Sequence, residues 1–178
     1  MISVDTKNSE LIGNFKNAGT RWCSEADEVN AHDFPSDAEC RAIPYGVYDI
    51  ALNRGYMYVG TSSDTSEFAV RSIRNWWLRY GRRQYPDQNR LLIEADSGGS
   101  NGCRPRLWKR ELQTLADETG LKITVCNYPR GASNWSPTYH RLFEPSSRNW
   151  SGTPHLDPET ILGLLCGANG SQGTARLD

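Results

Sequence analysis

The chain of 178 residues is long enough for one domain with a substantial core, and its composition, 37% hydrophobic and 23% charged, excludes a disordered tail. No run approaches the roughly 18 unbroken apolar residues of a membrane span, so we expect no membrane partner. The net charge of −1 argues against a uniformly basic nucleic-acid-binding surface, and five cysteines without a Cys-x-x-Cys pair argue against a disulfide framework or a zinc site and favour a reducing cytoplasm.

Periodicity in the first half of the chain predicts strands separated by irregular loops. A short strand is expected over residues 2–5, and residues 14–40 are rich in Asn, Gly, Ser, Asp and Pro, which is typical of a long irregular excursion. Two β-branched and aromatic runs follow at residues 45–50 and 56–60. The Gly-containing turn between them predicts an antiparallel hairpin.

The second half of the chain alternates helices with strands. Apolar residues at helical spacing predict one helix that begins after Asp64 or Thr65 and ends at Gly81, and another over residues 107–120. The remaining predicted elements are strands over residues 90–96 and 122–126, a helix over residues 135–143 that Pro145 should break, and a short last helix from Asp157.

This order predicts an α/β fold in which an antiparallel hairpin is joined to parallel strands by crossover helices. Such a chain forms a mixed sheet flanked by helices, and one fold with this order is the ribonuclease-H-like fold. We assign the domain to residues 1–166. Residues 167–178 are small and polar, so we expect them to form a flexible C-terminal tail.

Charge is unevenly distributed along the chain. Residues 1–67 contain eleven acidic and five basic residues, whereas residues 68–130 contain six acidic and twelve basic ones. A basic cluster on two neighbouring helices can neutralise phosphates, and a solvated helix face can have the same composition. The residues concerned are Arg71, Arg74, Arg79, Arg82, Arg83, Arg104, Arg106, Lys109 and Arg110.

Two aspartates stand at the ends of predicted strands. Asp5 ends the first strand, and Asp96 ends the apolar run that begins at Arg90. Ligands of open α/β sheets bind beyond the carboxyl ends of the strands, so two such carboxylates on neighbouring strands would share one crevice and repel each other. A divalent cation relieves that repulsion, and Mg²⁺ prefers carboxylate, water and phosphate oxygens. The two residues are therefore either a metal pair for phosphoryl transfer or turn-capping aspartates.

Other candidate residues are less specific. The glycine-rich run over residues 96–102 lacks the Lys of a phosphate-binding loop, so it favours a sharp turn over an anion cradle. His32 and His140 are interpreted as structural rather than as bases or metal ligands. Trp135 is either a core residue or a platform on which a nucleobase stacks.

Several segments, in a fixed order from about Ser3 to Ile161, resemble a known family. They are Ser3-Val-Asp-Thr-Lys7, Glu10-Leu-Ile-Gly-Asn-Phe-Lys-Asn-Ala-Gly19, His32-Asp-Phe-Pro35, Ile43-Pro-Tyr-Gly-Val-Tyr-Asp49, Ala95-Asp-Ser-Gly-Gly-Ser-Asn-Gly102 and His140-Arg-Leu-Phe143. Together they are similar to the DDE-type insertion-sequence transposases called the Rhodopirellula transposase family. The resemblance implies a ribonuclease-H-like catalytic core, DNA as partner, Mg²⁺ or Mn²⁺ as cofactor, and DNA cleavage followed by strand transfer. It makes Asp5 and Asp96 the first and second metal-binding carboxylates.

The sequence departs from the family pattern at the third acid. In the family that acid is a Glu immediately before the His of the His-Arg-Leu-Phe motif, whereas this sequence has Tyr139 there. A phenol is neutral at pH 7 and a poor ligand for Mg²⁺. We therefore predict a catalytic-core fragment with impaired activity that binds DNA weakly and without sequence preference. Two alternative functions remain open. One is a non-catalytic nucleic-acid-binding or interaction module, and the other is an active nuclease that uses Glu144. A homo-oligomeric state also remains open.

Overall fold

The computed structural model describes residues 1–129, 131–157, 159–161 and 173–177. The strands are β1 (Ile2–Thr6), β2 (Glu10–Ile12), β3 (Cys40–Asp49), β4 (Arg54–Gly60), β5 (Arg90–Ala95), β6 (Lys122–Asn127) and β7 (Gly173–Leu177). The helices are α1 (Ser66–Trp76), α2 (Arg82–Gln84), α3 (Arg106–Thr119) and α4 (Glu144–Trp150). In the part of the chain that these ranges cover, no helix combines the length and apolar character that a membrane crossing requires.

The described strands form one mixed sheet in the order β6-β5-β1-β3-β4-β7, with β2 paired to β3. The hairpin of β3 and β4 is antiparallel, as predicted, and β1 is antiparallel to β3. On its other side β1 runs parallel to β5, and β5 runs parallel to β6. The predicted α/β mixed sheet flanked by helices is therefore confirmed.

Two cores cover the two faces of this sheet, because successive side chains of a strand point to opposite faces. Tyr56 and Tyr58 of β4 pack on the face covered by α1 and α3, together with Trp76 and Trp108. The alternate residues of β4 face the helix at residues 139–150; this second core contains Ile12, Ala42, Met57, Val59, Leu142, Phe143, Trp150 and Ile161. A helix is therefore held against each face.

Helix α1 begins as predicted, and the helical segment that continues from it through α2 ends later than predicted. The Thr65 side chain accepts a hydrogen bond from the Phe68 amide, which is a standard N-cap. Gly81 does not end the helix, because a π-helical turn leads directly into α2. A Cβ at Gly81 would lie 2.5 Å from the Trp77 ring, so this glycine makes room for an indole rather than stopping the helix.

The prediction that Pro145 breaks its helix is wrong. A π-helical turn over Tyr139–Phe143 runs directly into α4, and the Glu144 amide donates to the carbonyl of Tyr139 five residues earlier. Pro145 then occupies the first turn of α4, where a missing N–H is tolerated. Because of the π-helical turn, the helix continues through Pro145 without a break.

Part of the expected flexible tail at residues 167–178 is instead a strand. Residues 173–177 form β7, which runs parallel to β4 at the edge of the sheet. Strand pairing uses backbone N–H and C=O groups, so a segment without an apolar pattern can still join an open edge. The domain boundary at residue 166 stays a prediction.

Of the predicted last helix, residues 159–161 are helical with Asp157 as cap, and the remainder lies outside the described residues.

Candidate active site

Asp5 and Asp96 lie side by side at the carboxyl ends of two adjacent parallel strands. The pairing of β1 with β5 runs from Ile2 opposite Ile93 to Val4 opposite Ala95, so each aspartate is the next residue on its own strand. Both line a cleft of about 460 Å³ beside the loop that follows β1. The adjacency predicted from the strand ends is confirmed, and the role of the two residues as metal ligands stays a prediction.

The Asp5 carboxylate carries an unfavourable charge. Burial, the negative charge of Asp96 and a smaller contribution from Asp64 raise the pKa of Asp5 to about 6. Hydrogen bonds from the Ser136 side chain and from the Thr6 amide, the latter at 2.9 Å, oppose that rise. Asp5 is therefore held in place by donors in an environment that disfavours its ionised form.

The glycine-rich turn after β5 packs closely against the Asp96 carboxylate. Burial raises the pKa of Asp96 and the charge of Asp64 adds to the rise, whereas a hydrogen bond from the Gly98 backbone lowers it. A Cβ at Gly98 would lie 3.4 Å from Oδ2 of Asp96, and one at Gly99, whose φ is +57°, would lie 3.4 Å from Oδ2 of Asp64. The segment is a sharp turn that leads into a 3₁₀ turn at Gly99–Asn101, as the sequence favoured.

Asp64 is a third carboxylate on the cleft, which sequence reasoning treated only as a helix start. The Thr6 hydroxyl donates to its Oδ1 at 3.2 Å, and Asp64 lines the same cleft as Asp5. An acid just before an N-cap is common in helices, so the sequence held no signal that separated Asp64 from an ordinary first turn. Within the described ranges, no three His, Cys, Asp or Glu side chains are grouped so that they could hold a metal ion. Asp64 therefore adds charge without completing such a group.

A buried polar network supports the cleft from behind. The Tyr45 hydroxyl donates to Oδ1 of Asn101 at 2.7 Å, and Nδ2 of Asn127 donates to the carbonyl oxygens of Asp96 at 2.6 Å and of Asn101 at 3.3 Å. Burial and the three nearby carboxylates raise the pKa of Tyr45 well above its ordinary value, so the phenol remains a donor. These bonds tie the end of β5 to β3 and β6.

The segment that contains Tyr139 meets the sheet beside Asp5. The Thr138 hydroxyl donates to the Ser3 hydroxyl at 2.9 Å, and the Tyr139 amide donates to Oγ of Ser136 at 3.3 Å. Since Ser136 also bonds to Asp5, one hydrogen-bonded residue connects Tyr139 with the first carboxylate. The tyrosine side chain itself is 46% exposed.

Comparison with known proteins decides the family. The profile described as the Rhodopirellula transposase DDE domain matches residues 1–177, further along the chain than the resemblance to Ile161. The chain belongs to this family.

Solved structures similar to this transposase domain confirm its ribonuclease-H-like fold. A Mos1 transposase paired-end complex with the left transposon end has a TM-score of 0.65 and 13% identity, covering 96% of this chain and 47% of the other. A Mos1 mariner paired-end complex with Mn has a TM-score of 0.64 and 14% identity, covering 96% and 48%. The transposase domain spans about half the length of these relatives. A search of curated protein sequences gave no match.

The other residues that the sequence offered as site candidates, Glu144 and the histidines, lie away from the carboxylate pair's cleft. Glu144 of the transposase domain accepts from Arg148 at 2.7 Å and lies 3.5 Å from Nδ1 of His140, so its carboxylate serves surface pairs. His32 lies in an exposed loop with its ring beside Phe34. Neither histidine lines the cleft of Asp5 and Asp96, and the interpretation of His32 and His140 as structural stays a prediction. The contacts of Glu144 with Arg148 and His140 do not support its use as the third acid.

The basic residues of the transposase domain are partly neutralised by neighbours. Arg74 of α1 donates to both carboxylate oxygens of Glu118 on α3, at 2.7 and 2.5 Å, which confirms that the two helices are neighbours. Arg110 donates to Glu111 at 2.7 Å. These two of the nine predicted phosphate-binding cations already have carboxylate partners.

Proposed function

We propose that this domain is the catalytic core for metal-dependent DNA cleavage and strand transfer, and that its activity is impaired at the third acid position. The observation that carries the proposal is the pair of carboxylates, Asp5 and Asp96, on adjacent parallel strands. Their burial and mutual repulsion raise the pKa of Asp5 to about 6. A protein retains such an unfavourable charge where it has a use, and a divalent cation is the partner that would relieve it.

The donor set fits Mg²⁺ or Mn²⁺. Both ions are bound by oxygen ligands, and the cleft offers the carboxylates of Asp5 and Asp96, as the family pattern implies. When bound, such ions polarise the scissile phosphate and activate the attacking hydroxyl group. Ser136 and Thr6 orient Asp5 through their hydrogen bonds, and the Gly98 backbone orients Asp96.

The proposed impairment follows from the missing charge at Tyr139. Two-metal phosphoryl transfer needs enough anionic oxygen to hold the second cation against its hydration shell. Asp64 is the nearest further acid on the cleft, yet the described residues contain no group of three suitable ligands. Glu144 is engaged with Arg148. We therefore expect the unmodified domain to bind Mn²⁺ only at millimolar concentrations.

DNA, a cytoplasmic location and self-association belong to the same proposal. The basic residues on α1 and α3 would attract DNA through its phosphates and without sequence preference. One of the similar structures is a complex of Mos1 transposase with a transposon end, which supports DNA as the partner of this chain. The described cysteines, Cys23, Cys40, Cys103 and Cys126, are free thiols, which suits the reducing cytoplasm.

A supercoiled-plasmid nicking assay with Mn²⁺ tests the proposed function. The unmodified domain should nick no faster than the Asp5→Ala variant, and Tyr139→Glu should nick faster than both. Robust nicking by the unmodified domain that Asp5→Ala abolishes would contradict the impairment. If Tyr139→Glu binds Mn²⁺ without nicking, the non-catalytic DNA-binding module becomes the better account.

A further inference from the structure

Two aromatic residues on either side of Ser136, the residue that bonds to Asp5, are exposed. Trp135 is 66% exposed and Tyr139 is 46% exposed, although large aromatic side chains are usually buried. Four other tryptophans, Trp76, Trp77, Trp108 and Trp150, are all at least nine-tenths buried. The interpretation of Trp135 as a core residue is therefore wrong, and its exposure needs another explanation.

Ser136 ties both aromatic residues to Asp5. It follows Trp135 directly in the chain, its Oγ accepts from the Tyr139 amide at 3.3 Å, and its side chain bonds to Asp5. The Tyr139 backbone is therefore fixed by the same residue that orients the first carboxylate, and Trp135 directly precedes that residue. Neither aromatic residue lines the cleft itself, so a ligand that contacts them would do so on its way to the carboxylates.

The backbone and side chains around the two rings are held by specific contacts. The Trp135 amide donates to the carbonyl oxygen of Ala132 at 2.9 Å, and Nε2 of His140 lies 2.6 Å from the carbonyl oxygen of Asn134. The His140 ring packs edge-on against Tyr139, with centroids 5.2 Å apart. These contacts reduce the entropy that ordering a flexible loop would cost on binding.

The chemistry of the surrounding surface selects the ligand class. Asn134 and His140, which contact each other beside Tyr139, are exposed and polar, so the surface lacks the continuous apolar groove that an amphipathic peptide needs. A flat aromatic face with polar surroundings suits a planar ring that has polar edges. Arg141 of the same helix is exposed and donates to Oδ1 of Asn53 at 2.9 Å, and its positive charge attracts a phosphate backbone.

We propose that Trp135 and Tyr139 form an aromatic platform that stacks an unpaired nucleobase of a DNA strand entering the Asp5–Asp96 cleft. The inference rests on the proposed function for its choice of DNA as partner. Stacking on an aromatic side chain contributes about 1–3 kcal/mol per base and tolerates any sequence. Tyr139 in this account supplies a ring for base binding at the position where the family has a metal-binding acid.

The test measures binding of a fluorescent single-stranded oligonucleotide and of the matching duplex, in EDTA and at constant salt. Trp135→Ala should weaken single-strand binding by about 5-fold to 150-fold, the range that the stacking energy implies. Duplex binding should change little. Trp22→Ala is the matched control, because Trp22 is likewise an exposed tryptophan but lies in the loop over residues 14–40. Tyr139→Phe should keep the affinity, and Tyr139→Ala should reduce it.

A 2-aminopurine base in the oligonucleotide reports stacking directly. Its fluorescence should be quenched by the unmodified protein and by Trp22→Ala, and the quenching should be lost in Trp135→Ala. Equal affinities and equal quenching in Trp135→Ala and Trp22→Ala would overturn the platform, as would an equal loss of single-strand and duplex binding. Because the assay contains no metal, its outcome is independent of whether Asp5 and Asp96 bind Mn²⁺.

Discussion

Asp5 lies directly opposite Gly46 in the antiparallel pairing of β1 with β3. A Cβ at Gly46 would lie 2.6 Å from Cγ2 of Thr138 and 2.8 Å from Cε1 of Phe143. The bare backbone of this glycine therefore lets the segment that precedes Tyr139 reach the sheet next to the first carboxylate. The packing of one helix and the geometry of the site depend on the same position.

Gly46→Ala should destabilise the domain by about 1–3 kcal/mol, because the added methyl overlaps side chains in a packed core. It should also weaken the hydrogen bond of Ser136 to Asp5 by moving the segment outward. Chemical denaturation measures the first effect. Gly98→Ala is the comparison, since its Cβ would make only an ordinary 3.4 Å contact. Equal stabilities of the two variants would contradict the close approach at Gly46.

Asp5→Asn should stabilise the metal-free domain at pH 7.5 by about 1–3 kcal/mol. The pKa of Asp5 is raised to about 6, above the value of about 4 in an unfolded chain, so ionisation favours the unfolded state. The gain should be absent below pH 4, grow as the pH rises from 4 to 6, and then level off. Thermal unfolding in EDTA across this range checks the sign. Gln88→Ala, a substitution of an uncharged exposed residue, is the control and should leave the pH dependence of stability unchanged.

His155 should make stability fall as the pH drops below about 6.5. The side chain is 4% exposed, and burial lowers its pKa, so the unfolded state binds a proton that the folded state does not. Its Nε2 lies 2.7 Å from Nδ2 of Asn17, and this pair holds the excursion after β2. Comparing urea midpoints of the unmodified protein and His155→Gln at pH 7.5 and 5.5 isolates the effect from that of Asp5, which has the opposite sign. A pH dependence that is identical in the two proteins would exclude His155 as its source.

DNA binding should weaken steeply between roughly 50 and 200 mM salt, because phosphate neutralisation releases counterions. Arg106→Ala and Lys109→Ala should each reduce the salt slope by about one. Arg74→Ala should reduce it less, since Arg74 already donates to Glu118. Fluorescence anisotropy with one duplex at several salt concentrations gives these slopes. Binding that stays constant over this range would contradict electrostatic attraction.

The sequence predicts the parts of this structure that leave a periodic pattern. The hairpin of β3 and β4 alternates side chains toward two cores, and the apolar runs before Asp5 and Asp96 mark two strand ends. Adjacent parallel strands bring their carboxyl ends together, so the placement of the two aspartates followed from local pattern and topology alone.

The rest depends on contacts between distant segments. Asp64 and Ser136 reach Asp5 only after α1 and the segment before Tyr139 pack beside β1, and neither residue differs in sequence from an ordinary helix start. The π-helical turn before Pro145 is set by packing rather than by propensity. Strand β7 pairs with β4 through backbone hydrogen bonds, and such bonds leave no pattern in the sequence from which the strand could be predicted.

We infer that Tyr139 occupies the position of a missing metal-binding acid. Its most direct test is a calorimetric titration of Mn²⁺ into the unmodified domain, Tyr139→Glu and the double variant Asp5→Ala with Tyr139→Glu. We expect weak, millimolar binding to the unmodified domain, tighter binding to Tyr139→Glu, and loss of that gain when Asp5 is removed. Tight binding by the unmodified domain, or an unchanged affinity in Tyr139→Glu, would contradict it.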